Sequence, residues 1–201
     1  MPGSASYDNG TITFSVNGGG PEIWDTSDQF NYAYQELPGD GSIVAHIADS
    51  GQTSSTWALG GIMIRDGLSD DAPHASMVLA TNGTAEWLQR DATGDSTTSV
   101  YGTPSDSWFK LTRTGDTLTG YDSSDGLTWN EVSSATISMT GPVTIGLVAN
   151  SGNNNAGPDG LEVSVTANGW FRYKTETDFG YLSPATTFNG NDQDNLLQLI
   201  P

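Results

Sequence analysis

The sequence predicts an all-β fold, a two-sheet antiparallel jelly-roll sandwich that is followed by a C-terminal extension. Apolar and polar residues alternate with a period of two in ten short segments, which is the pattern of half-buried strands. Helical periodicity is absent from the first 167 residues. The predicted strands are residues 11–16, 30–36, 42–48, 57–66, 75–80, 85–90, 108–113, 117–123, 143–149 and 161–166. Ten short strands at this spacing are typical of sandwiches and jelly rolls.

Short stretches of turn-forming residues separate the predicted strands. Asn-Gly and Asp-Gly pairs supply the positive-φ positions that tight hairpins require. Gly, Pro, Asn and Asp also favour the looser turns between strands. The separating segments are residues 17–20, 38–41, 82–83, 114–116, 125–126 and 153–155.

The chain divides into a sandwich at residues 1–167 and an aromatic-rich extension at 168–201. The extension carries Trp170, Phe171, Tyr173, Phe179, Tyr181 and Phe188. So much apolar surface has to pack against something. We therefore expect the extension to cover its own domain or to dock on a neighbouring subunit.

The composition is strongly acidic, with 6 Lys and Arg against 24 Asp and Glu and a net charge of −18. This charge argues against nucleic acid and anionic membranes as partners, because both attract basic proteins. The absence of cysteine excludes disulfides and thiolate metal sites. The acidity has two possible explanations. Either the protein is halophilic, and salt screens the repulsion between its negative charges, or many of its Asp residues simply form turns.

No basic stretch followed by an apolar one opens the chain, so no signal peptide is predicted. The longest apolar run, residues 143–149, is far shorter than the roughly 20 residues that span a bilayer. No membrane insertion is therefore expected. An extracellular location would then require a signal that was removed, or release by lysis as part of a virion.

A set of motifs in residues 27–151 resembles the concanavalin A-like jelly-roll modules of the DUF1349 or "regulation of enolase 1" type. The resemblance implies a jelly-roll fold and a module assumed to bind carbohydrate, without an established ligand. It covers about 60 % of the chain and excludes the first 26 residues and those after Thr166. The motifs include Asp28-Gln29-Phe30, Gly39-Asp40-Gly41-Ser42-Ile43, Gly60-Gly61-Ile62-Met63-Ile64-Arg65-Asp66, Gln89-Arg90, Trp108-Phe109-Lys110-Leu111, Asp125-Gly126 and Ile145-Gly146-Leu147.

Catalysis is not expected. Glycoside hydrolysis needs two carboxyl groups that face each other about 5–10 Å apart. The nearest stretch, Glu22-Ile23-Trp24-Asp25, puts its two acids on opposite faces of a strand. No Gly-x-Ser-x-Gly motif is present, and only His46 and His74 offer imidazole bases. A glycoside hydrolase is thus a disfavoured alternative.

No cofactor is predicted, although Ca²⁺ is a candidate. Residues 150–159 offer many side-chain oxygens in one loop, which suits calcium. Asp122 to Gly126 resembles part of a calcium loop but lacks the EF-hand spacing and its final Glu. The alternative is a solvated turn held by Asx hydrogen bonds, so the metal ligands are unknown.

The phase of the strands predicts a sugar-binding surface. Apolar residues at alternate positions mark the inward face, which leaves other side chains to face outward. Sugars stack on aromatic rings and form hydrogen bonds with polar groups. The predicted ligand-binding residues are His46, Trp57, Arg65, Trp87 and Gln89. The alternative is that the tryptophans belong to the core and that Arg65 pairs with Asp66 or another acid.

The sequence therefore predicts a non-catalytic carbohydrate- or surface-binding module of an extracellular or virion-surface protein. Its partner would be a glycan or cell-surface polysaccharide. The alternative is a structural assembly protein, such as a virion decoration, a capsid-associated protein or a fibre component. In that case residues 169–201 would hold a homo-oligomer, virion or filament together.

Overall fold

The computed structural model describes the backbone of residues 4–8, 13–18, 22–49, 58–104, 106–150, 152 and 161–166. It also describes residues 172–175, 178–181, 189–190 and 195–196. Side chains are described for residues 22–47, 58–104, 106–150 and 152. Every regular element within these residues is a strand, which confirms the all-β prediction. Among the described residues no helix is long and apolar enough to cross a membrane.

The described residues form nineteen strands. They are β1 Ser4–Asp8, β2 Thr13–Gly18, β3 Glu22–Trp24, β4 Ser27–Gln29, β5 Asn31–Glu36, β6 Gly41–Asp49, β7 Leu59–Asp66, β8 His74–Ala80, β9 Ala85–Arg90, β10 Thr98–Tyr101, β11 Trp108–Thr114, β12 Thr117–Ser123, β13 Asn130–Thr136, β14 Val143–Asn150, β15 Leu161–Thr166, β16 Arg172–Thr175, β17 Asp178–Tyr181, β18 Asn189–Gly190 and β19 Asn195–Leu196. All ten strands predicted from the sequence are confirmed, with shifts of no more than two residues at their ends.

Two large sheets make up the sandwich. One has the order β1-β2-β15-β6-β11-β12-β13, with β16 beside β6 and β17 beside β16. The other has the order β10-β9-β8-β7-β14-β5-β19-β18. Their described pairs are antiparallel apart from the single parallel bridge between β19 and β5. A separate hairpin consists of β3 and β4.

The main core lies between the two sheets and follows the period of two. On β11, Phe109 and Leu111 point into it, and on β9 the indole of Trp87 is fully buried in it. Gly120 on β12 makes room for that indole. A Cβ at Gly120 would lie 2.7 Å from Met77 Sδ and 2.8 Å from Trp87 Cζ3.

A second buried cluster covers the outer face of the eight-stranded sheet. It contains Met63, Val78, Leu88 and Val148, and Ile23 of the β3–β4 hairpin packs against them. Every side chain of β8 is consequently buried. This sheet is covered on both faces, as the central strands of an α/β sheet would be.

Two of the four described strands of the extension, β16 and β19, pair with strands of the sandwich, whereas β17 pairs with β16 and β18 with β19. In β16, Lys174 and Thr175 pair with Ser42 and Gly41 of β6. In β19, Leu196 pairs with Tyr34 of β5. The six aromatic side chains named for the extension lie outside the residues whose side chains are described.

Candidate functional site

His46 and Trp108 lie side by side on the outer face of the nine-stranded sheet. Because Ile47 points into the core, its neighbour His46 points outward. The register places Trp108 opposite His46, and their rings stack with centroids 4.7 Å apart at 20°. Ser107 Oγ lies 3.1 Å from His46 Nε2. Burial lowers the pKa of His46, which favours a neutral ring at pH 7.

Lys110 occupies the next outward position of β11, opposite Tyr121 on β12. Its Nζ lies 4.0 Å from the centroid of the Tyr121 ring and 4.7 Å from that of Trp129. Each such cation–π contact is worth about 0.5–2 kcal/mol. Burial lowers the pKa of Lys110. The ammonium makes these ring contacts without forming an ion pair to any residue that the structure describes.

A tight turn at residues 123–129 supports these rings, and the carboxylate of Asp125 stabilises it. Asp125 Oδ1 accepts hydrogen bonds from the backbone N–H groups of Leu127 and Thr128, both at 2.8 Å. The bonds from Thr128 and then Leu127 lower the pKa of Asp125 to about 2. The turn is therefore held by a carboxylate that stays ionised well into the acid range.

Gly126 fits this turn against the indole of Trp108. Its φ of +70° is one that side chains other than glycine rarely adopt. A Cβ at this position would lie 2.8 Å from Trp108 Cδ2. The same turn leads into Trp129, so one loop both covers an edge of Trp108 and delivers Trp129 to Lys110.

We name His46, Trp108, Lys110, Tyr121 and Trp129 the aromatic strip. All five side chains are half-buried, so their rings are held by packing and still present a face to solvent. Flat rings held in this way can stack on the apolar face of a sugar, while an ammonium can donate hydrogen bonds to hydroxyl or carboxylate oxygens. The strip itself contains no carboxylate and so offers no acid pair for glycoside hydrolysis.

The structure does not bring the predicted ligand-binding residues together. His46 faces outward on the nine-stranded sheet, as expected, whereas Arg65 belongs to the eight-stranded sheet. The prediction that Trp87 faces outward is wrong, because its indole is fully buried between the sheets. Gln89 shares the face of Trp87 and accepts a 2.6 Å hydrogen bond from its Nε1. Trp57 lies outside the described residues.

Arg65 is buried in an ionic cluster and is not available as a surface ligand. Asp28 accepts bonds from Arg90 Nη2 at 2.7 Å and Arg90 Nη1 at 2.8 Å, and Arg65 Nη1 lies 3.4 Å from the same carboxylate. The Arg65 guanidinium also lies over the ring of Phe30, 5.0 Å from its centroid. Arg65 thus pairs with an acid, as the alternative held, although that acid is Asp28 rather than Asp66.

His74 completes this cluster, with Nε2 3.8 Å from Asp28 Oδ2. Burial first, and then the charges of Arg65 and Arg90, lower the pKa of His74 well below 6.5. Burial also raises the pKa of Asp28, against the opposing effect of Arg90 and Arg65. All four side chains are almost inaccessible to solvent. The cluster therefore joins elements of the fold and offers no open catalytic site.

Neither calcium candidate gains ligands among the described side chains. Asn150 is fully buried, and its Oδ1 accepts a 2.8 Å hydrogen bond from the N–H of Leu59. Apart from Gly152, the rest of that loop lies outside the described residues. Asp125 is engaged in its own turn. No group of three His, Cys, Asp or Glu that could hold a metal occurs in the described part of the chain.

Four residues of the aromatic strip were not among the predicted ligand-binding residues. The sequence indicated two of them, since Phe109 and Leu111 alternate with Trp108 and Lys110, and the charge of Lys110 marks the outward face. That phase turns Trp108 and Lys110 outward. The contacts of Tyr121 and Trp129 depend on strand register and on the turn at 123–129, which alternation alone does not specify.

No protein-family model and no curated protein sequence matches the chain. Among solved structures, it is similar to a functionally unknown protein from Saccharomyces cerevisiae, with a TM-score of 0.55 and 17% identity. That match covers 83% of this chain and 90% of the yeast chain. A mutant of the GH43 protein BlXynB from Bacillus licheniformis is also similar, with a TM-score of 0.51 and 12% identity over 77% of this chain and 32% of that one. Together with the sheet topology, these similarities support a jelly-roll β-sandwich of the concanavalin A-like kind.

Proposed function

We propose that the chain is a non-catalytic carbohydrate-binding β-sandwich module and that the aromatic strip is its binding surface. The observation that carries this proposal is the row of partly exposed rings on β6, β11 and β12 and in the turn before β13. Two ring contacts hold Lys110 at its centre. Rings with fixed positions bind a sugar face at a low cost in conformational entropy.

The proposal also includes the finer assignment to the DUF1349 type and a place on an extracellular or virion surface. The motif order in residues 27–151 supports the family assignment. The acidic composition is compatible with a protein that is exposed to a salt-containing medium. A role in assembly through residues 169–201 stays a prediction. The described strands β16 and β19 pair with β6 and β5 of the same chain.

Affinity electrophoresis in gels that contain xylan, β-glucan, mannan or polygalacturonate tests the carbohydrate proposal. We expect at least one of these polysaccharides to retard the full chain. Trp108→Ala and Trp129→Ala should each weaken that retardation at least about tenfold, which corresponds to about 1.4 kcal/mol.

Trp24→Ala is the matched control, because the Trp24 side chain is 39% exposed on the β3–β4 hairpin and lies outside the strip. It should leave the retardation unchanged. Equally weak retardation of all three variants would mean that the loss of any exposed aromatic ring, and not of the strip in particular, reduces binding. Retention of full binding in both strip variants, or no retardation by any of the four polysaccharides, would overturn the proposal.

A further inference from the structure

A small pocket opens at one end of the sandwich, away from the aromatic strip. Its volume is about 230 Å³, and its walls come from the segments that join β5 to β6 and β13 to β14, together with β11. A cavity needs only roughly 10–15 Å³ of such volume to hold one water. The pocket is also smaller than most drug-sized sites, which start at roughly 300 Å³. It is therefore suited to a small organic molecule.

Among the residues whose side chains are described, Arg113 is the one cation that lines this pocket. It follows Phe109 and Leu111 in the inward phase of β11, so its side chain enters the end of the sandwich between the sheets. Its Nη1 donates to the carbonyl oxygen of Gly39 at 3.2 Å. That bond fixes one side of the guanidinium against the β5–β6 connection.

The opposite edge of the Arg113 guanidinium has no partner among the described residues. Nε is buried and forms no hydrogen bond, and Arg113 takes part in no described ion pair. Because Nε is closed off from solvent, an acceptor in the pocket can reach only the terminal nitrogens of the guanidinium. A guanidinium without an ion pair favours an anionic group such as a carboxylate.

The other walls determine what else the ligand carries. Leu37, Met139 and Val143 are buried apolar residues, and two prolines, Pro38 and Pro142, complete the apolar lining. Glu36 is exposed and is the only acid in the described part of the pocket wall. Its charge disfavours a ligand with two negative groups. We propose that this pocket binds a small organic monocarboxylate, with the carboxylate on Arg113 and an apolar body against Leu37, Met139 and Val143.

This proposal is independent of the carbohydrate function, since the pocket and the strip lie on opposite faces of β11. The competing explanation is that Arg113 only closes the end of the sandwich by binding Gly39. Both explanations expect a loss of stability when Arg113 is replaced. They differ in whether a carboxylate binds, and in the effect of Glu36.

The experiment titrates the full-length protein with acetate, isovalerate and benzoate, and follows backbone amide shifts by NMR. Isovaleramide and benzamide serve as neutral counterparts of matched shape. We expect saturable shifts at Gly39 and Gly141, which line or adjoin the pocket, and none at Gly126 of the strip. Isovalerate and benzoate should bind more tightly than acetate, and the amides at least about tenfold more weakly than the acids.

Two variants test the assigned roles. Arg113→Met should weaken isovalerate binding at least about tenfold, whereas Glu36→Gln should tighten it about two- to fivefold by removing a like charge near the surface. If Arg113→Met does not fold, Glu36→Gln and the acid–amide comparison still decide. The proposal is overturned if no acid shifts the pocket amides, if the amides bind as well as the acids, or if Glu36→Gln weakens binding.

Discussion

Arg90 is the residue whose loss should damage the fold most clearly. Its side chain is fully buried, and its guanidinium holds Asp28 through two bonds of 2.7 and 2.8 Å. It also donates to the carbonyl oxygens of Asp25 at 3.1 Å and Asp95 at 2.9 Å, and to Thr97 Oγ1 at 3.1 Å. We predict that Arg90→Met destabilises the protein without changing its sheet order.

The size of this destabilisation follows from the buried charge that remains after the substitution. Removing one partner of a buried ion pair costs roughly 3–5 kcal/mol, because the other charge stays buried. Arg65 Nη1, 3.4 Å from Asp28, still compensates part of that charge. We therefore expect the lower end of the range, about 3 kcal/mol. This is a large share of the roughly 5–15 kcal/mol that stabilises a typical domain.

Urea unfolding followed by tryptophan fluorescence measures this loss. With a slope m of about 2 kcal/mol per molar, the midpoint should fall by about 1.5 M. Arg90→Lys keeps the charge but lacks the planar fork, so its loss should be smaller. A loss below about 1 kcal/mol in Arg90→Met at unchanged m would show that Asp28 and these loops do not depend on Arg90, and the reasoning would fail.

Three further predictions concern pH and packing. The pKa of His74 is well below 6.5, so through this residue the folded protein binds fewer protons than the unfolded chain and should lose up to about 1.4 kcal/mol of stability per pH unit below 6.5. His74→Leu should reduce the slope of stability against pH in urea unfolding and leave the share of His46, whose pKa burial also lowers; equal slopes in both proteins would contradict this. The pKa of Asp125 is lowered to about 2, so the stability that its carboxylate adds is present above pH 3.8 and is lost only as the pH falls towards 2. The amide shifts of the 123–129 turn should therefore stay constant down to about pH 3, and a transition near pH 4 would contradict this. Gly120→Ala should cost about 1–3 kcal/mol by overpacking against Trp87, whereas Gly39→Ala, which meets no atom within 4 Å, should leave the thermal midpoint nearly unchanged.

The fold was predictable where strands have one clear inward face. The bounds predicted for residues 85–90, 117–123 and 161–166 are those of β9, β12 and β15. The edge strands β10 and β13 were missed. Their side chains are mostly exposed, so their sequences lack the alternation that marks burial.

The candidate site was less predictable because the eight-stranded sheet is covered on both faces. On β9, Leu88 packs in the outer cluster and Trp87 in the main core, so both neighbours are buried. Hydrophobicity alone cannot tell which of two such residues faces the other sheet. On the nine-stranded sheet the outward phase of His46 was predicted correctly. There one face of β6 and β11 remains partly exposed.

The hydrogen bonds of Arg90 also determine how far the three loops around its guanidinium can change in sequence. The acceptors at Asp25, Asp70 and Asp95 are main-chain oxygens, which any residue at those positions would supply. Three loops can therefore exchange most of their side chains while a single buried guanidinium keeps their paths fixed. A library of loop variants that retains Arg90 and Asp28 should keep the sandwich intact, so this end is a natural place to graft new recognition surfaces.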